Sequence, residues 1–385
     1  MKIKICCLPL RMPKIHTNNF HFLHISTAQS WRGGEQQLAY LYEEINKQAV
    51  RQTIVCAKNS ELEKHCIETK KEFISIQKKG SFDLAFAAQL KKISSEDAIL
   101  HVHDSHAHTA AVLSSILFRN KAPIIVSRRV DFKIGDNFLS SFKYNYSGVK
   151  KIICVSDAIK KIISPEIKDQ TKLVTIHDGV DLNKFNVDKK ITRKLRTEFN
   201  IHDNNYYLIG NVAALAPHKD YYTFIDTASI IIQKNIKAKF LMIGEGPERK
   251  KLEDYIKQKN MSDHIIMTGF RTDIKEILPE LDIFLITSET EGLGSSILDA
   301  MLCKVPIVAT SAGGIPEIVK HNETGLLAPT KNAKMLAENI VMLISNVELK
   351  NNLVVNASNE VKKFSKEIMA AETLGVYKEI GINLD

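Results

Sequence analysis

The sequence predicts an α/β chain of two Rossmann-like domains, each a parallel sheet wound with helices on both faces. Three observations carry this. Short apolar runs rich in β-branched residues recur along the chain and alternate with helical patterns. Runs buried on both faces, separated by helices, are the mark of parallel sheets. The runs form two series, joined by a polar, charged segment from about 181 to 205. The 385 residues also exceed one ordinary core and suit two domains.

In chain order, residues 1–19 read as a short, loose extension. Their apolar stretch is too short for a secretory leader, and Arg11 interrupts it. The first domain is expected over 20–190, with strands at 21–26, 53–57, 73–77, 98–104, 123–129, 151–156 and 172–177. The second is expected over 191–365, with strands at 207–212, 239–244, 264–269, 283–288, 306–310 and 325–328. Helical patterns lie between them, at 35–48, 222–233, 248–259 and 333–345. A last helix at 366–380 stands apart from both series.

Composition narrows the class. Apolar residues make up 44% and charged residues 25%, as in soluble globular proteins. No run of about 18 apolar residues exists, so no membrane-spanning helix is expected. The six cysteines show neither metal spacing nor a disulfide framework, which fits a reduced cytosol. Cys154 and Cys303 lie in apolar runs and read as buried thiols. The net charge of +9 is uneven: residues 1–200 hold 33 basic and 20 acidic residues, residues 201–385 hold 20 and 24. Attraction of the first half to an anionic surface and a lysine-rich composition without a partner weigh about equally, because the lysines are scattered.

The stretch from 286 to 316 carries the most chemistry. A strand runs into the turn Glu291-Gly292-Leu293-Gly294, and a helix starts at Ser295 with Asp299 in its second turn. Backbone N–H groups at such a helix start favour an anion. Two carboxylates eight residues apart then need partners, and sugar hydroxyls suit groups that only accept hydrogen bonds. Three other loops are candidates. Gly33-Gly34 follows the first strand and opens a helix. Residues 101–108 hold four histidines. Lys219 follows the first strand of the second series. A zinc reading of the histidines ranks low: the run straddles a strand end and a helix start, so its rings should point different ways.

The 286–316 stretch resembles the E-x7-E signature of the family 4 retaining glycosyltransferases, and the resemblance extends over nearly the whole chain from about residue 20. It implies the GT-B architecture, two Rossmann-like domains facing across a cleft, with the last helix returning to the first domain. By this resemblance Glu291 holds hydroxyls of the donor sugar. The amides of Gly292, Leu293, Gly294 and Ser295 hold the diphosphate. Asp299 stands where the family has a ribose-binding Glu, one methylene shorter. Lys219 matches the family's phosphate-gripping Lys, whereas the partner Arg is missing near Ala213 or Ala214. His103 matches a histidine at the sugar, Gly33 and Gly34 border the phosphates, and Phe270 or Arg271 would meet the nucleobase. The family works without a metal, and no Asp-x-Asp appears here. The implied partners are a nucleotide-diphosphate-sugar donor and a glycan or glycolipid acceptor, as in lipopolysaccharide, capsule or glycolipid synthesis. No cofactor and no nucleic acid are implied. The expected place is the cytoplasm, with peripheral contact to the anionic inner face of the membrane.

Overall fold

The computed structural model describes residues 20–80, 82–135, 138–185 and 193–382, so the extension at 1–19 lies outside the described residues. Thirteen strands form two all-parallel sheets among these residues. The first sheet holds β1 (His21–Ser26), β2 (Gln52–Ala57), β3 (Phe73–Ile76), β4 (Ala98–Val102), β5 (Ile124–Arg128), β6 (Val149–Cys154) and β7 (Leu173–Thr175), in spatial order 3-2-1-4-5-6-7. The second holds β8 (Tyr207–Val212), β9 (Ala238–Ile243), β10 (Ile265–Gly269), β11 (Ile283–Ile286), β12 (Ile307–Thr310) and β13 (Leu326–Ala328), in order 10-9-8-11-12-13. Central strands such as β1, β4, β11 and β12 are buried at every position, which is why their sequences read as continuous apolar runs.

Each sheet reverses its winding once, between β1 and β4 and between β8 and β11. Ligands of doubly wound sheets bind outside the carboxyl ends of the strands at such a reversal. The loops after these four strands therefore mark where a site is expected.

The final helix, Lys366–Ile382, lies against the first sheet. Tyr377 stacks on Phe22 with ring centroids 4.1 Å apart. Met369, Leu374 and Val376 join a core with Tyr40, Ile99 and Ile153. The entry to this helix is tied by the Lys366 amide to the Val180 carbonyl (2.9 Å) and by Lys366 Nζ to Asp181 (2.9 Å). The chain thus crosses to the second sheet and comes back. The four described cysteines are free and buried, Cys154 and Cys303 among them.

Candidate active site

The reversal loops hold most of the residues singled out by sequence. Gly33-Gly34 follow β1, His103 follows β4, Lys219 follows β8 and Glu291 follows β11. A Cβ built on Gly33 would meet Ser295 Oγ at 3.9 Å, so the β1 loop faces the helix start of the other domain.

That helix, Ser295–Leu302, is capped by Gly294 in a left-handed conformation (φ +91°) with no side-chain cap. Its first N–H groups are left for a ligand. The Glu291 turn is held from behind by Gly313-Gly314. Gly313 has φ +50°, and a Cβ there would sit 2.0 Å from the Glu291 carbonyl oxygen, which also accepts from the Gly314 amide at 2.9 Å. Sequence reading gave these two glycines no role, although the pair stood in the most informative stretch.

Glu291 Oε2 accepts from Lys219 Nζ and from Ser288 Oγ (3.1 Å). Both charged side chains are largely buried. The Lys219 turn is fixed in turn by Thr287 Oγ1, which donates to the Lys219 and Asp220 carbonyls at 3.1 and 2.9 Å. Beside it, burial and the Lys219 charge lower the His218 pKa, favouring the neutral ring. The positions of the missing arginine, Ala213 and Ala214, add no cation.

Asp299 faces the interdomain linker. Lys184 Nζ donates to Asp299 Oδ2 at 2.6 Å. Burial raises the Asp299 pKa, opposed by Lys184. Oδ1 has no partner among the described residues and is the atom left for a hydroxyl. Phe270 is exposed beyond β10. Arg271 is committed to Asp273 (2.7 and 2.8 Å) and Glu198 (2.6 Å), so of the two nucleobase candidates Phe270 has the free face.

The histidines divide. His101 and His103 lie two apart on β4 and its end, so their rings share one side, 4.2 Å between centroids. His24 of β1 joins them, with His24 Nδ1 3.2 Å from His103 Nε2. The expectation that rings of this run diverge fails for this pair, because a strand places residues i and i+2 on the same face. The three rings bring ligand atoms within 4.8 Å of one another. Burial first, then the neighbouring imidazoles and Arg129, lower the pKa of His101 and His103 and keep the rings neutral. Yet both His101 nitrogens are taken, by Tyr377 OH (2.6 Å) and Ser127 Oγ (2.8 Å). A hydrogen-bonded imidazole cluster fits this better than a cation site. His103 is 5% exposed and keeps Nδ1 unpaired.

Two further residues border the cleft: Arg129, within the stretch Arg128-Arg129-Val130-Asp131 that reads from the sequence as a candidate acceptor-side patch without an assigned role, and Glu317, which the sequence does not single out. Arg129 has its carbonyl 2.5 Å from a Cβ built on Gly292 and its Cδ 3.9 Å from one built on Gly34, and its Nε donates to Asp178 at 3.0 Å. Glu317 of the second domain accepts from the Asp157 and Ala158 amides (2.9 Å each) and pairs with His177 (2.8 Å) of the first. Glu317 has no local sequence signal, because it acts across long separations.

Two parallel-sheet domains whose reversal loops approach one another, with a helix start free of a side-chain cap after β11, have the GT-B architecture of sugar-transferring enzymes. Comparisons agree. Residues 31–184 match the family described as Glycosyltransferase Family 4, and residues 193–360 match Glycosyl transferases group 1. An uncharacterised glycosyltransferase of Methanocaldococcus jannaschii is 30% identical over 298 residues, 75% of this chain and 78% of that one. The N-acetyl-alpha-D-glucosaminyl L-malate synthase of Bacillus anthracis is 25% identical over 309 residues, 78% and 80% of the two chains. The Anabaena protein HepE, solved with UDP and glucose, superposes with a TM-score of 0.83 at 18% identity, over 94% of this chain and 100% of that one. The chain belongs to the family 4 glycosyltransferases.

Proposed function

We propose that the protein is a retaining glycosyltransferase that moves a sugar from a nucleotide-diphosphate sugar to a hydroxyl of a cell-envelope glycan or glycolipid. The observation that carries this is the Lys219–Glu291 pair at the uncapped start of helix Ser295–Leu302. A diphosphate lies naturally against those amides, and Lys219 faces the charge that grows on the leaving phosphate. Glu291, released from Lys219, accepts from sugar hydroxyls and orients the ring. Asp299 Oδ1 accepts from the ribose, with Lys184 holding the carboxylate in place. His103 lies on the sugar side, and Phe270 meets the base. Bond making and breaking occur on one face of the sugar, with the departing phosphate taking the acceptor proton. Lys219 and the helix start supply the positive charge, so the reaction needs no metal.

The envelope assignment is supported by the basic first half and by exposed Phe82, Phe132 and Leu139 in that domain. No described helix is long and apolar enough to cross a membrane. The proposed contact is a peripheral one, at the anionic cytoplasmic face. A second reading, transfer to a small soluble acid, is favoured by the relative whose name gives L-malate as acceptor. A thermal-shift panel of nucleotide sugars identifies the donor. Release of nucleoside diphosphate is then assayed with glycolipid, glycan and small-acid acceptors, in excess EDTA. Transfer to a lipid-linked or polymeric glycan supports the first reading. Transfer to small acids alone supports the second, and no turnover with any donor overturns both.

A further inference from the structure

The donor side carries one phosphate-facing lysine, Lys219, and that lysine is paired with Glu291. A nucleoside diphosphate leaves with more negative charge than a single paired cation offsets, and Ala213 and Ala214 add none. A further cation stands on the other wall of the cleft. Arg129 follows β5 and touches loops of both domains. Its Cδ lies 3.9 Å from a Cβ built on Gly34, and its carbonyl oxygen 2.5 Å from one built on Gly292. Gly34 belongs to the loop that faces Ser295, and Gly292 to the turn that opens helix Ser295–Leu302. Two residues on, Asp131 is near enough to His218, the neighbour of Lys219, for its charge to act there. The segment 129–131 therefore runs from the Gly292 turn toward the Lys219 turn.

The Arg129 side chain is mostly buried and makes one hydrogen bond among the described residues, from Nε to Asp178 Oδ1 at 3.0 Å. Nη1 is buried and has no partner among them. A guanidinium N–H kept from water without an acceptor destabilises the site until a ligand supplies one. Asp178 thus holds the base of the fork and leaves its end unused. Burial raises the Asp178 pKa, and Arg129 opposes that rise. The guanidinium charge also reaches His103, whose pKa is lowered by burial, by His101 and then by Arg129. Arg129 therefore has the sugar-side histidine on one flank and the Gly292 turn on the other.

We propose that Arg129 binds the diphosphate of the donor from the opposite domain, supplying the second positive charge that Ala213 and Ala214 lack, with Asp178 as its positioning residue. This rests on the glycosyltransferase reading. When the bond between sugar and phosphate oxygen breaks, its electron pair stays on the phosphate. A guanidinium fork then meets two phosphate oxygens where a lysine meets one. Lys219 and the helix start come with one domain and Arg129 with the other. The full positive charge of the site exists only while the two domains are together, which ties leaving-group stabilisation to a closed cleft.

Calorimetry on the full chain, with UDP and inorganic pyrophosphate as probes, reads this contact without turnover. Lys219 must leave Glu291 to meet a phosphate, whereas Arg129 Nη1 is unpaired, so the effect of Arg129 shows already in binding. Arg129→Gln should weaken both probes tenfold or more. Asp178→Asn, which leaves the cation in place and removes its counter-charge, should bind them as tightly as wild type or more tightly. A pair that served packing alone would lose binding in both variants alike. Arg129→Gln leaves Asp178 buried without its partner, so the double variant Arg129→Gln/Asp178→Asn is measured as well. It carries no unpaired buried charge and should show the same loss. With a donor and an acceptor in hand, kcat of the double variant should fall on the order of a hundredfold with the acceptor KM unchanged. Wild-type probe affinity in the double variant, an equal loss in Asp178→Asn, or a change in the acceptor KM alone overturns the contact. Binding of neither probe to the wild type overturns the glycosyltransferase reading with it. UDP binding that depends on Arg129 in a chain that transfers no sugar would keep the contact and sink the transfer.

Discussion

Lys184 and Asp299, 115 residues apart, meet at 2.6 Å where the interdomain linker reaches the helix that follows the Glu291 turn. The bond uses one carboxylate oxygen and leaves the other without a partner among the described residues. Burial raises the Asp299 pKa and Lys184 opposes that rise, so the lysine both favours the ionised acid and fixes its position.

Asp299→Ala should weaken nucleoside diphosphate binding about tenfold or more, the worth of one charged hydrogen bond of roughly 1.5 kcal/mol or above. Lys184→Met should give a smaller loss, because the acid remains but is less fixed. Asp299→Glu should bind as well as wild type or better. Calorimetric titration compares the four proteins, and equal affinities would place the ribose elsewhere.

Lys219→Ala should lower kcat on the order of a hundredfold, with a much smaller effect on the affinity for free nucleoside diphosphate. In the proposed mechanism Lys219 meets charge that develops only as the phosphate leaves. Steady-state kinetics beside direct binding separate the two quantities. Loss of binding without loss of kcat would reduce Lys219 to an anchor.

Gly313→Ala should fold but lose activity. The added Cβ would collide with the Glu291 carbonyl oxygen, and the backbone there is left-handed. Strain of about 1–3 kcal/mol is expected, relieved by shifting the Glu291 turn. A modest drop in Tm with near-complete loss of turnover is the expected pattern. Full activity would mean that the turn has more room than this packing gives it.

The His177–Glu317 tie between the domains should weaken with alkali. Its bond to Glu317 raises the His177 pKa, so its contribution is full below the ordinary value of 6.5 and is lost as pH rises through the raised one. For Glu317, burial is overcome by the His177 bond and two amides, and the pKa is lowered. Its share is present above the ordinary 4.5 and lost as pH falls through the lowered value. Raising pH from 6 to 8.5 should lower Tm more in wild type than in His177→Ala. Identical slopes would show that the pair does not bridge the domains in solution.

Much of this molecule was legible in its sequence, for a physical reason. Strands buried on both faces must be written as apolar runs, and each of the thirteen runs lies on a strand, shifted by a residue or two as in 151–156 against Val149–Cys154. The Glu291 turn could be read because its parts are contiguous. What could not be read depends on strand order. His24 reaches His103, 79 residues away, only because β1 lies beside β4. Lys184 and Glu317 act across the domain interface, and no local pattern marks a lysine or glutamate for that. The run 101–108 does pass from a strand end at Val102 to a helix start at Ser105, but the extended backbone reaches His103, so His101 and His103 share a side while His108 lies against Tyr144.

The most direct test follows the sugar itself. With the donor found by thermal shift, proton NMR of the reaction records the anomeric configuration of the first-formed product, with an acceptor or with water in its place. Retention of the donor's configuration, accompanied by free nucleoside diphosphate and abolished in Glu291→Ala, is the predicted result. An inverted product, or the same product from Glu291→Ala at the wild-type rate, would contradict it.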